Sequence, residues 1–506
     1  MNLKNKDILL VPILIIAGKL LSFVFNAFLG SYYGAGKISD AFIIAHTIPT
    51  ILFEGVATAF ISCYIPIQRT LIHNSPERID DFNSNMTSIS VLLSVVVTVI
   101  YYLFHHQINS VYAHGFDEIS LGLLDKYSSI LVWSIPFIGA YCIFRAHLQV
   151  SEKKTVSSLG QAILYIVLII SVLGFYPNDT ALSWATLIGN IICFCIFIFY
   201  AARSGYRYRP YISFNKDYIK TMLLMIFPIF FSTLAAELAS IVDKYFASQY
   251  SDGIITSLTY GYQLSFAMQG IVSVSVLIVV FPNLSDKAAL GDYLGMNSIM
   301  YKCIELISWV IMPIVAGGIV LSKPIISIMF GHGKFSENSV NITALVFSGY
   351  LFGVLPMCIK HVGDRVCFAM KKTKLAMITT FITVGSNILL DYVMNTIWGY
   401  IGLVIATGIA IMIGMTFCIL LIKNENKNLS IRRILMELIR PTILAVFMGI
   451  VVYFIHIFLI EIQVSNFTTI LLCFVIGIII YIGGGVLFFR SQILDILHII
   501  TKKEFA

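Results

Sequence analysis

Apolar segments, each long enough to cross a bilayer, follow one another from Ile8 to Phe489 with only short polar breaks between them. Crossing the hydrocarbon layer takes roughly 20 apolar residues in a helix. By that measure the chain holds about fourteen spans. The first six run over Ile8–Tyr33, Asp40–Ile65, Met86–Phe104, Ser128–Leu148, Val156–Phe175 and Ala181–Ala202. Six more cover Tyr218–Tyr250, Ile255–Leu284, Ile299–Leu321, Val340–Val362, Leu375–Asn395 and Ile401–Ile422, and two close the chain at Leu435–Leu459 and Thr468–Phe489. Only 12% of residues are charged against 58% hydrophobic, far too little charge to coat a water-soluble surface of this size. The predicted fold class is therefore an all-α polytopic membrane protein. Its function has to be sought in the few polar groups inside the spans, where they are costly unless they serve something.

Lys and Arg set the expected orientation. With the N-terminus (Lys4, Lys6) inside, alternate loops carry Arg69, Arg78, Lys153, Lys154, Arg203, Arg207 and Arg209, then Lys371, Lys372, Lys423, Arg432 and Arg433, and the tail adds Lys502 and Lys503. The opposite loops hold little beyond Lys37, Lys126, Lys323 and Lys334. Both termini are thus expected in the cytoplasm. The net charge of +7 reflects topology and gives no nucleic-acid signal. The first apolar stretch is too long for a cleavable signal and reads as a retained helix. The nine cysteines form no CxxC pair and read as packing residues. No phosphate-binding loop, metal-spaced His/Cys cluster or nucleophile elbow occurs, so ATP hydrolysis and zinc chemistry have no support.

Compared with itself at an offset of about 217 residues, the chain repeats. Ser31-x-Tyr33-x-x-Gly36-x-x-Ser39 matches Ser248-x-Tyr250-x-x-Gly253-x-x-Thr256, and Lys153-Lys154-Thr155 matches Lys371-Lys372-Thr373. His114-Gly115-Phe116 echoes Gly331-His332-Gly333-Lys334-Phe335. Six spans per repeat is an even number, so both copies point the same way through the membrane, a transporter architecture that binds substrate between its halves. The expected domains are a six-helix lobe over 1–212, a second over 213–429, and a final helix pair over 430–506. Short amphipathic pieces are expected at the outer surface around His106–Leu121 and Lys323–Phe335.

Gly34-Ala35-Gly36-x-x-Ser39-Asp40-Ala41-Phe42, Ile48-Pro49, Glu54-Gly55 and Ile65-Pro66 resemble the opening signature of the lipid II flippases of the MurJ/MviN type. Val242-Asp243-Lys244, Phe330-Gly331-His332-Gly333-Lys334-Phe335 and Gly402-Leu403-x-x-Ala406-Thr407 look like the same family, within the multidrug/oligosaccharidyl-lipid/polysaccharide exporter superfamily. The resemblance implies two six-helix lobes in a V that flip an undecaprenyl-diphosphate-linked cell-wall precursor by alternating access, with the last two helices forming a groove for the lipid tail. It also implies a cavity rich in arginine. Here the matching positions are Lys19 and Phe25 in the first span, Ile51-Leu52-Phe53 ahead of Glu54, and Gln263 in the eighth.

Helix arithmetic places Lys19 and Glu54 at similar depth on adjacent spans, a candidate ion pair. The repeat offset brings Lys19 to within one residue of Glu237, and His46 onto Gln263. The expected substrate-binding set is Lys19, Asp40, His46, Glu54, Glu237 and Gln263, with a structural ion-pair network as the alternative. Ser39-Asp40 also reads as the N-cap of its own helix, although Asp40 matches a family position. Asn387 and Asp391, four apart, share one helix face, at a depth comparable with Asp243, Leu403 and Thr407. Carboxylates, an amide oxygen, a hydroxyl and a backbone carbonyl are hard donors suited to an alkali cation. The resemblance implies a sodium site there; a proton-titrating pair and a structural network are the alternatives. Lys360, Asp364 and Arg365 read as a cytoplasmic gate or a surface pair, and Arg145 and His147 as interfacial.

The reading reached is a bacterial inner-membrane flippase for a polyprenyl-diphosphate-linked saccharide, coupled to a cation, with membrane lipids and the cell-wall synthesis machinery as partners. It is a transporter with no catalytic residue and no cofactor apart from a coupling sodium ion. The alternatives are a lipid-linked oligosaccharide or polysaccharide exporter, or a drug/organic-cation antiporter. A glycosyltransferase would need a sizeable outer loop with a catalytic carboxylate, and the longest outer connection is about twenty mostly amphipathic residues.

Overall fold

The computed structural model describes residues 3–151, 153–490 and 492, and every regular element among them is helical. The tail residues Lys502 and Lys503, used above to orient the chain, lie outside the described residues. Ten helices are long and apolar enough to cross a membrane, and a pair bent by 40° at residues 132–133 makes an eleventh. Helices dominate because a segment in hydrocarbon must pair its own backbone N–H and C=O groups.

The chain folds as two compact units. The first spans Met1–Thr256 together with Gly333–Phe335. Its helices are α1 (Leu3–Tyr33), α2 (Lys37–Pro49), α3 (Gly55–Asn74), α4 (Ile79–Tyr112), α5 (Glu118–Leu131) and α6 (Ser134–Val150). They continue with the single turn α7 (Lys154–Ser157), then α8 (Gly160–Phe175), α9 (Ala181–Arg203) and α10 (Asp217–Ala247). Within this unit α1 packs on α8, α2 on α5, α4 and α9 on α6, and α10 on α3. The unit ends at Thr256, beyond the 212/213 boundary of the sequence repeat, because α10 lies against α3. Gly55 makes that approach close: a Cβ there would stand 2.9 Å from Thr233 Oγ1.

The span read as continuous over Asp40–Ile65 is broken. After Pro49 the backbone makes one π-helical turn, Thr50–Glu54, before α3 resumes the α-helix. Proline lacks the N–H that would continue the ladder, and the wider turn absorbs the mismatch. The span read over Ser128–Leu148 is likewise the bent pair α5 and α6. Of the expected outer amphipathic piece at His106–Leu121, the first part belongs to α4, which bends at Phe104 and runs on to Tyr112. His147, read as interfacial, is buried: Gln68 Nε2 lies 3.0 Å from its Nδ1, and the Ser151 hydroxyl 3.1 Å from its Nε2. The connection after α9 is tied to the start of α4, where Asn85 accepts from the Ser213 N–H and Tyr206 donates to the Asn83 carbonyl, both at 2.8 Å.

Asp40 does not cap its own helix. α2 begins at Lys37, and the Ser39 hydroxyl donates to the Gly34 carbonyl. The buried Asp40 carboxylate instead accepts from the N–H groups of Gly253 at 2.6 Å and Thr256 at 2.8 Å, and from the Thr256 hydroxyl. It caps the turn that opens the next long helix, where the first backbone donors have no helical partner.

The second unit spans Ser257–His332 and Ser336–Ala506. It contains most of α11 (Ile254–Ala289), then α12 (Tyr293–Val320), α13 (Ser322–Phe330), α14 (Glu337–Ala369), α15 (Thr373–Trp398) and α16 (Tyr400–Glu425), and finally α17 (Ile431–Glu461) and α18 (Asn466–Phe488). α13 is the expected second amphipathic piece, shortened to nine residues. α14, α15 and α16 pack together, α12 carries α17, and α18 leans on α17 and α13. The outer faces of the last pair expose Phe454, Phe458, Phe474 and Ile479, as a lipid-solvated surface requires.

Two substitutions test this packing. At Gly402 a Cβ would sit 2.1 Å from the Met394 carbonyl oxygen, so Gly402→Ala forces α15 and α16 apart. The expected cost is about 1–3 kcal/mol, read as a lower thermal unfolding temperature in detergent. Asp40→Asn removes the charge from three hydrogen bonds and is expected to cost about 1.5–3 kcal/mol by the same measurement.

Candidate functional site

In the first unit, three of the expected substrate residues lie along one chain of charges. The Glu237 carboxylate, half-buried on α10, is within electrostatic reach of Lys244 and of Glu54. Lys244 lies two turns further along α10 and interacts in turn with His46, whose ring packs on Phe42 at a centroid separation of 5.7 Å. Glu54 closes the π-helical turn and is exposed, and Tyr141 and Tyr165 lie within its electrostatic reach. Tyr141 is held by a 3.1 Å bond from its hydroxyl to Asn190 Oδ1. Sequence reasoning passed over Lys244, which appeared there only as a letter of the Val242-Asp243-Lys244 motif. The signal that would have found it is its spacing: seven residues after Glu237, it shares the same face of α10.

The expected Lys19–Glu54 ion pair is not formed. Lys19, half-buried on α1, makes no hydrogen bond and no ion pair within 4 Å with any described residue, and neither does Glu54. Equal depth on adjacent spans does not make two side chains face each other, and the π-helical turn rotates Glu54 away from the register of a continuous helix. Asp40, by contrast, is fully used as the helix cap described above. Gln263 stands on α11 in the second unit.

The expected cation ligands divide in the same way. Asp243 is on α10 in the first unit, whereas Asn387, Asp391, Leu403 and Thr407 are in the second. Asn387 Nδ2 donates to Asp391 Oδ2 at 3.1 Å, one turn apart on α15, and both side chains are buried. The Leu403 carbonyl, in the first turn of α16, accepts from the Thr407 hydroxyl at 3.0 Å. Leu403 follows Gly402, the point where α16 presses on α15, so all four residues belong to one tightly packed hairpin. No group of three or more His, Cys, Asp or Glu side chains with metal-binding geometry occurs among the described residues. Carboxylate, amide, hydroxyl and carbonyl oxygens are hard donors, of the kind an alkali cation takes.

The residues read as a gate form an internal pair. Lys360 Nζ is 3.1 Å from Asp364 Oδ2 within α14, with both side chains largely buried. His361 Nδ1 lies 2.8 Å from Gln269 Nε2, and the Arg365 guanidinium stacks over Phe368 at 5.9 Å.

Comparison with known proteins agrees with the fold and with the motifs. The family model described as "Lipid II flippase MurJ" matches residues 29–481. A probable lipid II flippase MurJ of Vibrio cholerae is 24% identical over 429 residues, covering 81% of each chain. The solved structure of a lipid II flippase MurJ in an inward closed conformation superposes with a TM-score of 0.81 at 25% identity, covering 96% of this chain and 99% of that one. A multidrug resistance MATE family transporter of the MOP superfamily, in an inward-facing conformation, shares the fold at a TM-score of 0.64 and 14% identity, over 82% of this chain and 96% of that one. With 453 consecutive positions covered by one family model, this chain belongs to the lipid II flippase MurJ family.

Proposed function

We propose that this protein flips lipid II, a polyprenyl-diphosphate-linked peptidoglycan precursor, across the bacterial inner membrane. The observation that carries the reading is the family match over residues 29–481. It makes the protein a multi-pass transporter, not an enzyme, acting in cell-wall synthesis. In the fuller architecture, α8, α10 and α11 complete fourteen spans, adding three to the eleven counted by length and composition. The repeat then defines a lobe over 1–212, a lobe over 213–429 and the closing pair over 430–506. The excess of Lys and Arg in alternate loops supports cytoplasmic termini. Partners in the cell-wall machinery would supply or receive the lipid.

In this scheme the headgroup meets Lys19, His46, Glu54 and Glu237 as alternating access moves it outward. Lys19 and Glu54 suit that role because neither is consumed by a partner within the fold. Sodium would bias the cycle through Asp391, Asn387, Thr407 and the Leu403 carbonyl. Lys360, Asp364 and Arg365 would brace the cytoplasmic end.

Export of an organic cation is a second reading, favoured by the acidic Glu54 and Glu237 carboxylates, which suit a cationic substrate. Direct binding separates the two: purified protein should bind lipid II and not cationic dyes. In cells depleted of their own flippase, the wild-type gene should restore growth, and Lys19→Ala should reduce rescue at unchanged membrane levels. Undiminished rescue would remove Lys19 from the binding set. For the coupling ion, replacing sodium by potassium should slow lipid II translocation at least about tenfold, equivalent to about 1.4 kcal/mol on the activation barrier. Asp391→Asn should abolish the sodium dependence. Equal rates in both salts would rule sodium out.

A further inference from the structure

Residues 204–216, which join α9 to α10, form no regular helix, yet they are fastened along their length. The anchor is the first part of α4, whose run Asn83-Ser84-Asn85-Met86-Thr87-Ser88 is buried despite its polarity. Asn85 brackets Ser213, accepting from its N–H and donating to its carbonyl, both at 2.8 Å. The Arg209 N–H donates to Ser84 Oγ at 3.0 Å, and the Ser88 and Tyr208 hydroxyls lie 3.2 Å apart. The Tyr206 hydroxyl, bonded to the Asn83 carbonyl, also meets the Thr87 hydroxyl at 2.5 Å. Buried amides and hydroxyls need partners, and here the connection supplies them. The result is a strap held against α4 by one edge.

The other edge carries cations and apolar side chains. From Arg203 to Lys220 the sequence has five cations, Arg203, Arg207, Arg209, Lys216 and Lys220, against the single carboxylate Asp217. Arg209 and Lys220 are exposed and form no ion pair within 4 Å with any described residue. Arg207 comes within 4.0 Å of Asp80, but both side chains are well exposed and the separation is too long for a hydrogen bond. Beside these cations Ile212 is 47% and Phe214 63% exposed, and Tyr208 is also turned outward. A phenyl ring presented to bulk water by a fixed segment is disfavoured, whereas the same ring in a headgroup layer is well placed.

The strap begins where the hydrocarbon ends. α9 is an apolar span, its Phe199 ring is half-exposed as a lipid-facing group is, and the Arg203 guanidinium lies 4.4 Å over that ring. Arg203 thus marks the level at which the chain leaves the bilayer. Lys216 closes the strap over the Tyr211 ring at 5.8 Å, a contact that does not cancel its charge. Cations interleaved with aromatic and aliphatic side chains at this level complement the negative surface of a leaflet containing anionic phospholipid. An acidic protein would neutralise the charges, but it would not account for a row of cations that starts on a lipid-facing ring.

We propose that residues 203–220 form a docking surface for the headgroups of anionic phospholipids. Arg207 and Arg209 present planar forks to the phosphates, Lys220 adds a further charge, and Tyr208, Ile212 and Phe214 enter the interfacial layer. Because α4 grips the strap from behind, a bound phospholipid fixes the connection between the two sequence repeats at the membrane surface. The site goes beyond the flippase reading and does not depend on which molecule is carried.

The test puts a reporter on the strap itself. Phe214→Trp in the full-length protein, reconstituted in nanodiscs, is read as the fluorescence added over the wild type and its quenching by phospholipids brominated on their acyl chains. Brominated phosphatidylglycerol should be preferred over brominated phosphatidylcholine beside this residue at least about tenfold, since each cation at a charged surface contributes about fivefold. Arg207→Gln/Arg209→Gln, added to the reporter, should bring the preference below about threefold at an unchanged thermal unfolding temperature, and Arg207→Lys/Arg209→Lys should retain most of it. Lys220→Gln lies outside the bonds that hold the strap, so it decides the matter if the glutamine pair disturbs folding; it should lower the preference about two- to fivefold. Equal quenching by the two lipids would overturn the site. Quenching by neither would overturn it too, pointing to a surface that faces water or a protein partner. A preference unchanged in both the glutamine pair and Lys220→Gln would likewise end the proposal.

Discussion

Hydrocarbon offers no hydrogen-bond partner, and nearly every feature of this protein follows from that. Backbone groups are paired within helices, and hydroxyls inside the spans turn back on their own helix. Ser62 donates to the Thr58 carbonyl, Ser265 to Gly261 and Thr416 to Met412, each at 2.8 Å. Where the helix is interrupted after Pro49, the chain takes up a π-helical turn instead of opening into a loop. Amides and carboxylates follow the same rule, as with Asn387 on Asp391 and Asp40 on the turn at Gly253–Thr256. Against that background a polar side chain with no internal partner is informative in a way it would not be on a soluble protein. Lys19 and Glu54 are such cases. Their solvation has to come from water or a ligand, and either one implies a polar space at membrane depth.

The same accounting separates groups that hold the fold from groups that act. Asp40 looks functional in the sequence, yet its carboxylate is saturated by two backbone N–H groups and a hydroxyl. Lys360 and Asp364 satisfy each other inside one helix. The buried cluster of Tyr64, Gln68, Asn83 and His147 anchors the end of the first helical set and lies close to the residues that clamp the following connection. Each of these has its partners within the fold. A removed partner in any of them would leave a buried group unpaired, which is costly, so they are expected to matter for stability whether or not they touch substrate.

The helical spans were legible in the sequence because they rest on composition over twenty-residue windows, which local detail cannot blur. The expected start at Asp40 missed by only one turn, and the amphipathic piece near Lys323–Phe335 was found as α13. What could not be read depends on rotation about a helix axis. The π-helical turn at Thr50–Glu54 shifts every later side chain on that span, so depth alone wrongly paired Lys19 with Glu54. His147 carries the polarity of an interfacial residue, and only tertiary packing shows it enclosed by Gln68 and Ser151. Lys244 was hidden differently. Its place appears only when α10 sets it on the same face as Glu237 and within electrostatic reach of His46.

The distribution of arginine gives the remaining constraint on how a diphosphate could be handled. A guanidinium deep in a span is expensive to desolvate, and its attraction for phosphate has to exceed that cost each time the substrate leaves. An arginine held in the headgroup layer stays hydrated between turnovers, so it captures the anion without a standing penalty. Arg433 and Arg440 flank Glu437 just before the charge-free run of α17 begins.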